Sequence, residues 1–307
     1  MEFLYVLERL RNPFLDGLMQ ALTWLGQETL ALPLLLLMYW CINKRVGLEL
    51  LFCTFFGAGT NAFLKLCMQV PRPWLRNANF TIVESARKAA TGFSFPSGHT
   101  QTAVGLYGVL SLWVKNKAAK LALLLLILLI GFSRLYLGVH TLNDVLLSLL
   151  VGTVIVLIGH ILFSRSEQSI RMGFLVLFLL NLAFLIIMQY IPLLNPADAD
   201  IAAHLHKNAA LAVGGSLALF LASCLHGAHI RFNPRTNLLA QGIKLGLGLA
   251  LIMGLRMGLK PLLHGLLADE VLADILRYFL ITLFALVVWP MSFAAIERAT
   301  DRLLRRR

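Results

Sequence analysis

The sequence predicts an all-α, polytopic membrane bundle of about nine transmembrane helices, N-terminus out and C-terminus in. Three observations lead there. Of the 307 residues, 59% are hydrophobic and only 14% are charged, against about 45–50% apolar and about 25% charged in soluble domains. Apolar runs of about 20 residues recur along the chain, each long enough to cross roughly 30 Å of hydrocarbon. The basic residues gather in alternate loops. In lipid, a helix is the segment that satisfies its own backbone, so the runs read as helices.

Taken in order, residues 3–25 form an amphipathic start that lies at the membrane surface or leads into the first span. Spans follow at about 27–43, 46–68, 98–114, 120–138, 143–163, 172–192, 207–226, 241–262 and 275–295. Lys44 and Arg45, Lys115, Lys117 and Lys120, Arg165 and Arg171, Arg231 and Arg235 fall in loops of one side. The tail residues Arg298, Arg302, Arg305, Arg306 and Arg307 join them if there are nine spans. That side is expected to be cytoplasmic. Loops at about 69–97, 139–142, 193–206 and 263–274 then face outward, and a bacterial inner or plasma membrane is the expected location. Residues 1–192 are expected to hold a six-span core, and 193–307 a three-span extension of unknown role.

The net charge of +12 does not indicate nucleic acid, because the cations sit in short loops between spans. Cys41, Cys53, Cys67 and Cys224 lie in or beside apolar runs without metal-ligand spacing, and read as free thiols. Glu8, Arg9 and Arg11 interrupt the first apolar stretch, so it does not read as a cleavable signal peptide. In span eight Gly242, Gly246, Ala250, Gly254 and Gly258 recur every four residues. Such a seam ordinarily packs inside the monomer, and its functional alternative is a sliding or homodimer interface.

Three clusters carry chemistry, all at the outward ends of spans. In the first, Lys65 and Arg72 are seven residues apart and would share one helix face if the helix persisted that far. Pro71 and Pro73 end the helix and leave Arg72 at its lip, where two cations suit an anion. In the second, Phe95-Pro-Ser97-Gly98-His99-Thr100 opens span three. Ser97 suits an N-cap, Gly98 lets backbone N–H groups approach an anion, and His99 can donate or accept a proton. In the third, Ser133-Arg134 precedes His140 and Asp144. One helical turn separates His140 from Asp144, so a carboxylate can orient the imidazole and make it a nucleophile. Arg134 offers a planar fork for phosphate oxygens. Taken singly, each cluster also fits an interfacial cap, turn or snorkelling side chain. Together they supply charge stabilisation and positioning for phosphoryl transfer.

The pattern Lys65-six residues-Arg72-Pro73, then Pro96-Ser97-Gly98-His99, then Ser133-Arg134-five residues-His140-three residues-Asp144 resembles the type 2 phosphatidic acid phosphatase (PAP2) superfamily. The likeness spans about residues 14–165. It implies a helical membrane core with its site on the outer face and no required metal or other cofactor. It implies that Lys65, Arg72 and Arg134 hold the phosphoryl oxygens with Ser97 and the Gly98 N–H. His140 would form a phosphohistidine, Asp144 would orient it, and His99 would protonate the leaving oxygen and then help activate water. The stretch from Ser133 to Asp144 is similar to sphingosine-1-phosphate phosphatases, and the nine-span layout is similar to glucose-6-phosphatase. Asp144 weighs against the second, so a lipid phosphomonoester or diphosphate is expected rather than a sugar phosphate.

Outside the motifs, Arg76 in the 74–95 loop, and Arg256 and Lys260 in span eight, are candidate head-group contacts. The loop itself is a lid or a plain surface loop. Glu28 and Glu49 are expected at exposed span ends, and His204 and His206 as solvated. Rival readings are a phosphotransferase, separable by dependence on an acceptor, and an anionic-lipid transporter. The transporter would place its charges at mid-span rather than at span ends.

Overall fold

The computed structural model describes residues 2–225 and 232–305. It contains helices and loops and, among the described residues, no strand. We number the longer helices α1 (Glu2–Arg9), α2 (Pro13–Trp24), α3 (Glu28–Ile42), α4 (Lys44–Met68), α5 (residues 98–113), α6 (Lys117–Tyr136), α7 (Leu142–Phe163), α8 (Glu167–Met188), α9 (Ala199–Leu225), α10 (Leu238–Leu266), α11 (Glu270–Met291) and α12 (Phe293–Arg305). Seven are long and apolar enough to cross a membrane, or eight if the α2–α3 pair, bent by 43°, is one broken span. The sequence led us to expect nine. The α5 segment is helical where span three was placed, but at 98–113 it is shorter than the other crossing helices. Arg231, Arg306 and Arg307, used above for orientation, lie outside the described residues.

The expected amphipathic start is two short helices. Leu4 and Leu7 of α1 bury against Phe80, Ile82, Leu135 and Val145. Phe3, Val6 and Leu10 stay exposed, as do Phe14 and Leu18 of α2. The pattern is that of a helix lying along a boundary between protein and lipid.

In the centre α4 packs against α7, α8 and α9, and the main core gathers aromatic side chains such as Trp40, Phe52, Phe163 and Phe174. Pro290 lacks an N–H and leaves the Leu286 carbonyl without its helical donor. The Tyr39 hydroxyl donates to that carbonyl at 3.2 Å, and the Trp40 indole donates to the Ala285 carbonyl at 2.9 Å. The chain accommodates the break with a π-helical turn at Phe284–Val288. This seals α3 to α11 and ties the extension to the core.

Two sequence expectations are corrected here. Glu49 is fully buried, not exposed at a span end. It accepts from the Trp113 indole at 2.7 Å and faces His160 Nδ1 at 3.3 Å, because a carboxylate below the surface needs partners. The small-residue seam of α10 does not pack inside the monomer. Added side-chain atoms at Gly242, Gly246, Gly254 and Gly258 would meet open space, because α10 turns that face away from the bundle. Of the cysteines, Cys41 and Cys53 are buried and Cys67 and Cys224 are exposed, all free.

Candidate active site

The three motifs meet at one end of the bundle, each brought there by a local feature of its own. The first does not work as helical phase suggested. Helix α4 stops at Met68, and Gln69 caps it in the left-handed region at φ 43°. The Gln69 side chain fixes the turn by donating to the Pro192 carbonyl at 2.7 Å and accepting from Leu194 N at 2.8 Å. Arg72 is therefore extended and off the helix, and the turn rather than a shared face carries it back to Lys65. Lys65 Nζ donates to the Phe93 carbonyl. Arg72 donates from Nε to the Gly92 carbonyl at 3.0 Å and from Nη2 to the Thr91 carbonyl at 2.7 Å.

The second motif opens α5 as expected. Ser97 is its N-cap and accepts from Thr100 Oγ1 at 3.0 Å. Its own hydroxyl hydrogen is left for another acceptor. The backbone N–H of Ser97 donates to the Asp144 carbonyl at 3.1 Å, which binds this motif to the third. Nε2 of His99 is buried without a partner among the described residues.

The third motif bridges two helices. Helix α6 ends in a left-handed glycine cap, with Gly138 at φ +78°, Gly138 N donating to the Leu135 carbonyl and Val139 N to the Arg134 carbonyl. A Cβ at Gly138 would stand 2.6 Å from the Arg11 guanidinium, so the position demands glycine twice over. Helix α7 then starts with a capping box between Thr141 and Asp144. His140 thus precedes the helix instead of lying on it. Its Nδ1 still reaches Asp144 Oδ2 at 3.2 Å.

The tautomer follows from the partners. Arg72 Nη1 lies 2.9 Å from His140 Nε2 and 2.8 Å from the Val139 carbonyl. A guanidinium only donates, so Nε2 accepts and the ring proton sits on Nδ1, facing Asp144. Asp144 is held in turn by Thr141 N at 2.8 Å, Thr141 Oγ1 at 2.8 Å and the Ser94 hydroxyl.

The site is deeply buried and its charges do not balance. Relative exposures are Lys65 6%, Arg72 4%, Arg134 0%, His140 2% and Asp144 1%. Three cations therefore face one carboxylate. Burial first, then the Arg72 guanidinium, holds His140 well below the ordinary imidazole range, and Asp144 pulls the other way. Arg134 and Lys65 push in the same direction as Arg72, which places all three cations within electrostatic reach of His140. Arg134 donates from Nη1 to Thr23 Oγ1 at 2.7 Å, while its Nε and Nη2 have no partner among the described residues. Buried donors without acceptors are rare. Here two such donors of one guanidinium point to the same buried place, and an anion with several oxygens would satisfy both.

Of the other sequence candidates, Arg76 is exposed and donates to the Pro71 carbonyl at 2.8 Å. Arg256 and Lys260 are exposed on α10, and Arg256 acts electrostatically on Glu28 of α3. No hydrogen bond or ion pair among the described residues joins either to the site. His204 is not solvated but half-buried, with Nε2 at 3.3 Å from the Thr91 hydroxyl. Nε2 of His206 is buried without a partner among the described residues.

Sequence reading missed Thr23 and Ser94. Thr23 is fully buried and comes from α2, over 100 positions before the arginine it contacts, so nothing local announced it. Ser94 sits one residue before the second motif, and that adjacency was its only signal. The isosteric Thr23→Val removes the acceptor of Arg134 and is expected to lower kcat/KM about tenfold, with Thr23→Ser near wild type. Steady-state phosphate release of the three proteins decides it, and an unchanged Thr23→Val would remove Thr23 from the site.

The family described as PAP2 superfamily matches residues 46–168. That described as PAP2 superfamily phosphatase, transmembrane extension, matches residues 210–301. Phosphatidylglycerophosphatase B of Bacillus subtilis is 29% identical over 150 residues, 45% of this chain and 70% of that protein. Undecaprenyl-diphosphatase BcrC of the same organism is 31% identical over 160 residues, 51% of this chain and 77% of that protein. A probable sphingosine-1-phosphate phosphatase of Dictyostelium discoideum is 29% identical over 155 residues, 46% of this chain and 37% of that protein. Among solved structures, Aquifex aeolicus LpxE shows 27% identity and a TM-score of 0.46, over 52% of this chain and 92% of that one.

Proposed function

The chain belongs to the PAP2 superfamily of membrane phosphatases, and from that premise we propose that it hydrolyses a lipid phosphomonoester or diphosphate at the extracytoplasmic face through a phosphohistidine on His140, without a metal. The observation that carries this reading is the uncompensated positive charge around His140. Lys65, Arg72 and Arg134 are buried against one carboxylate, and two donor atoms of Arg134 lack acceptors among the described residues. A phosphoryl group supplies the missing negative charge and the missing oxygens. The same positive lining opposes a metal cation.

The steps follow from the atoms. The phosphoryl oxygens take up the free donors of Arg134 and draw Arg72 Nη1 away from His140 Nε2, exposing its lone pair. Nε2 attacks phosphorus while Nδ1–H stays on Asp144, which balances the charge growing on the ring. The bond to the leaving oxygen breaks, and His99 gives that oxygen its proton. A water molecule then attacks the phosphohistidine and loses its proton to His99. Inorganic phosphate departs and His140 is restored. An insoluble substrate enters sideways between helices without leaving the bilayer. Lipid substrates are favoured over sugar phosphates because the relatives phosphatidylglycerophosphatase B and undecaprenyl-diphosphatase BcrC match about half of the chain.

The test is rapid quench of the detergent-solubilised protein with 32P-labelled phosphatidylglycerophosphate or undecaprenyl diphosphate in EDTA. We expect a protein-bound label that is stable to alkali and lost in acid, with release of lipid and phosphate. Absence of label and of phosphate release with every lipid would overturn the reading. Transfer of the label to an added alcohol in preference to water would make the chain a phosphotransferase.

A pH profile follows as well. The attacking His140 must be neutral, and its acidity is shifted so that it remains neutral below the ordinary value of about 6.5. After correction for the substrate's own ionisation at about 6, the acid-side fall in kcat/KM that reports protonation of His140 is expected only below pH 6.5, while any fall toward alkaline pH reports loss of the proton that His99 must carry. An acid limb above 6.5 would contradict the geometry, because it would require the cations to stabilise a charged imidazole.

A further inference from the structure

We propose that the first turns of α9, in the C-terminal extension, form the platform that holds the phosphate-binding cations, with His204 as a positioning residue acting on Arg72 through Thr91. This rests on the reading of Lys65 and Arg72 as phosphate ligands.

Three consecutive carbonyls carry the two cations: Thr91 O and Gly92 O accept from Arg72 at 2.7 and 3.0 Å, and Phe93 O accepts from Lys65. A long cationic side chain has many rotamers, and fixed acceptors select one of them. The carbonyls are only as fixed as the segment that bears them, and 91–93 is a loop with no helical bonds of its own. What lies behind it is α9. Phe93 is buried in the same apolar cluster as Ala202, Leu205, Ala209 and Val213 of α9 and Ala62 and Leu66 of α4. Gly92 adopts φ +73°, and a Cβ there would stand 3.7 Å from Leu205 Cδ2 and 4.0 Å from Ile201 Cγ2, so the helix lies directly against the backbone. Thr91 is exposed, and its hydroxyl is tied to α9 by His204 Nε2 at 3.3 Å. Thr91 and Gly92 therefore lie against one stretch of α9, and Phe93 shares its apolar cluster. The extension thereby acquires a task in the chemistry beyond enclosing it.

Trp74 makes the idea measurable without turnover, because the Arg72 guanidinium stands 5.9 Å from its ring centre. The experiment uses the full chain in detergent and compares wild type, His204→Ala and His204→Gln. Binding of orthovanadate is followed by tryptophan fluorescence, turnover by phosphate release, and folding by the thermal midpoint. His204→Ala is expected to weaken vanadate binding and raise KM about tenfold, with kcat within about threefold and the thermal midpoint unchanged. His204→Gln, which keeps a donor and an acceptor near Nε2, restores most of the loss.

If wild type binds vanadate and turns over while His204→Ala matches it, the positioning role falls and the phosphatase reading stands. If wild type neither binds vanadate nor releases phosphate, the site reading falls and this inference with it. A loss confined to diphosphate substrates, with monophosphate parameters unchanged, would make His204 a direct substrate contact and overturn the positioning role. A lowered thermal midpoint with no recovery in His204→Gln would reduce it to general packing.

Discussion

His140→Ala is expected to abolish phosphate release from every lipid substrate, a loss of at least about a thousandfold in kcat. The reason is chemical. Among the described residues, the His140 imidazole is the one held between Asp144 on Nδ1 and Arg72 on Nε2. Folding should survive. Asp144 keeps Thr141 N, Thr141 Oγ1 and the Ser94 hydroxyl, and Arg72 keeps the Val139, Gly92 and Thr91 carbonyls. The decisive measurement is phosphate release in EDTA, beside size-exclusion and thermal profiles that show the variant intact. Full activity in the variant would end the nucleophile assignment. A folded variant that still binds vanadate but forms no labelled intermediate would confirm it in detail.

Arg134→Met is expected to make the protein more stable and almost inactive. Arg134 is fully buried, with only Thr23 as a side-chain acceptor and two donor atoms without partners among the described residues. A buried charge in that condition costs several kcal/mol, and an apolar side chain of similar length removes the cost. A rise of a few degrees in the thermal midpoint follows for a chain of this size. The same donors are the ones left open for phosphate oxygens, so kcat/KM should fall about 10²–10³-fold. Binding sites often hold such local strain against stability. Thermal scans and kinetics on one preparation test both halves. A destabilised Arg134→Met would mean that the charge is compensated within the fold and is not reserved for substrate.

The site was legible in the sequence to an unusual extent because its groups are brought together by short-range rules. The N-cap at Ser97, the left-handed cap at Gly138 and the Thr141–Asp144 capping box are each written within a few residues. The contact between His140 and Asp144 needed only their spacing. Contacts that depend on a different helix were not legible. Lys65 and Arg72 do converge, but through the Gln69 turn and the 91–93 carbonyls, not through a shared helix face. Glu49 and His204 looked like surface groups because a charged or polar residue near a span end carries no mark of what packs beside it. The seam of α10 looked like an internal packing face because a row of small residues fits either a neighbouring helix or open lipid.

By itself, the sequence determined that the chain is helical and lives in lipid, because composition and backbone satisfaction in a bilayer allow little else. It also nominated the side chains that we propose carry the chemistry, because phosphoryl transfer needs cations, a nucleophile and a proton donor. Only the tertiary structure decided which nitrogen of His140 carries the proton and which accepts. The proton of His140 is placed by a guanidinium from one loop and a carboxylate from the next helix. It also decided that Thr23 before the motifs and His204 after them stand behind the two arginines. Such pairings depend on how separate helices dock, and docking is fixed by the shape of the whole packed core rather than by any stretch of chain.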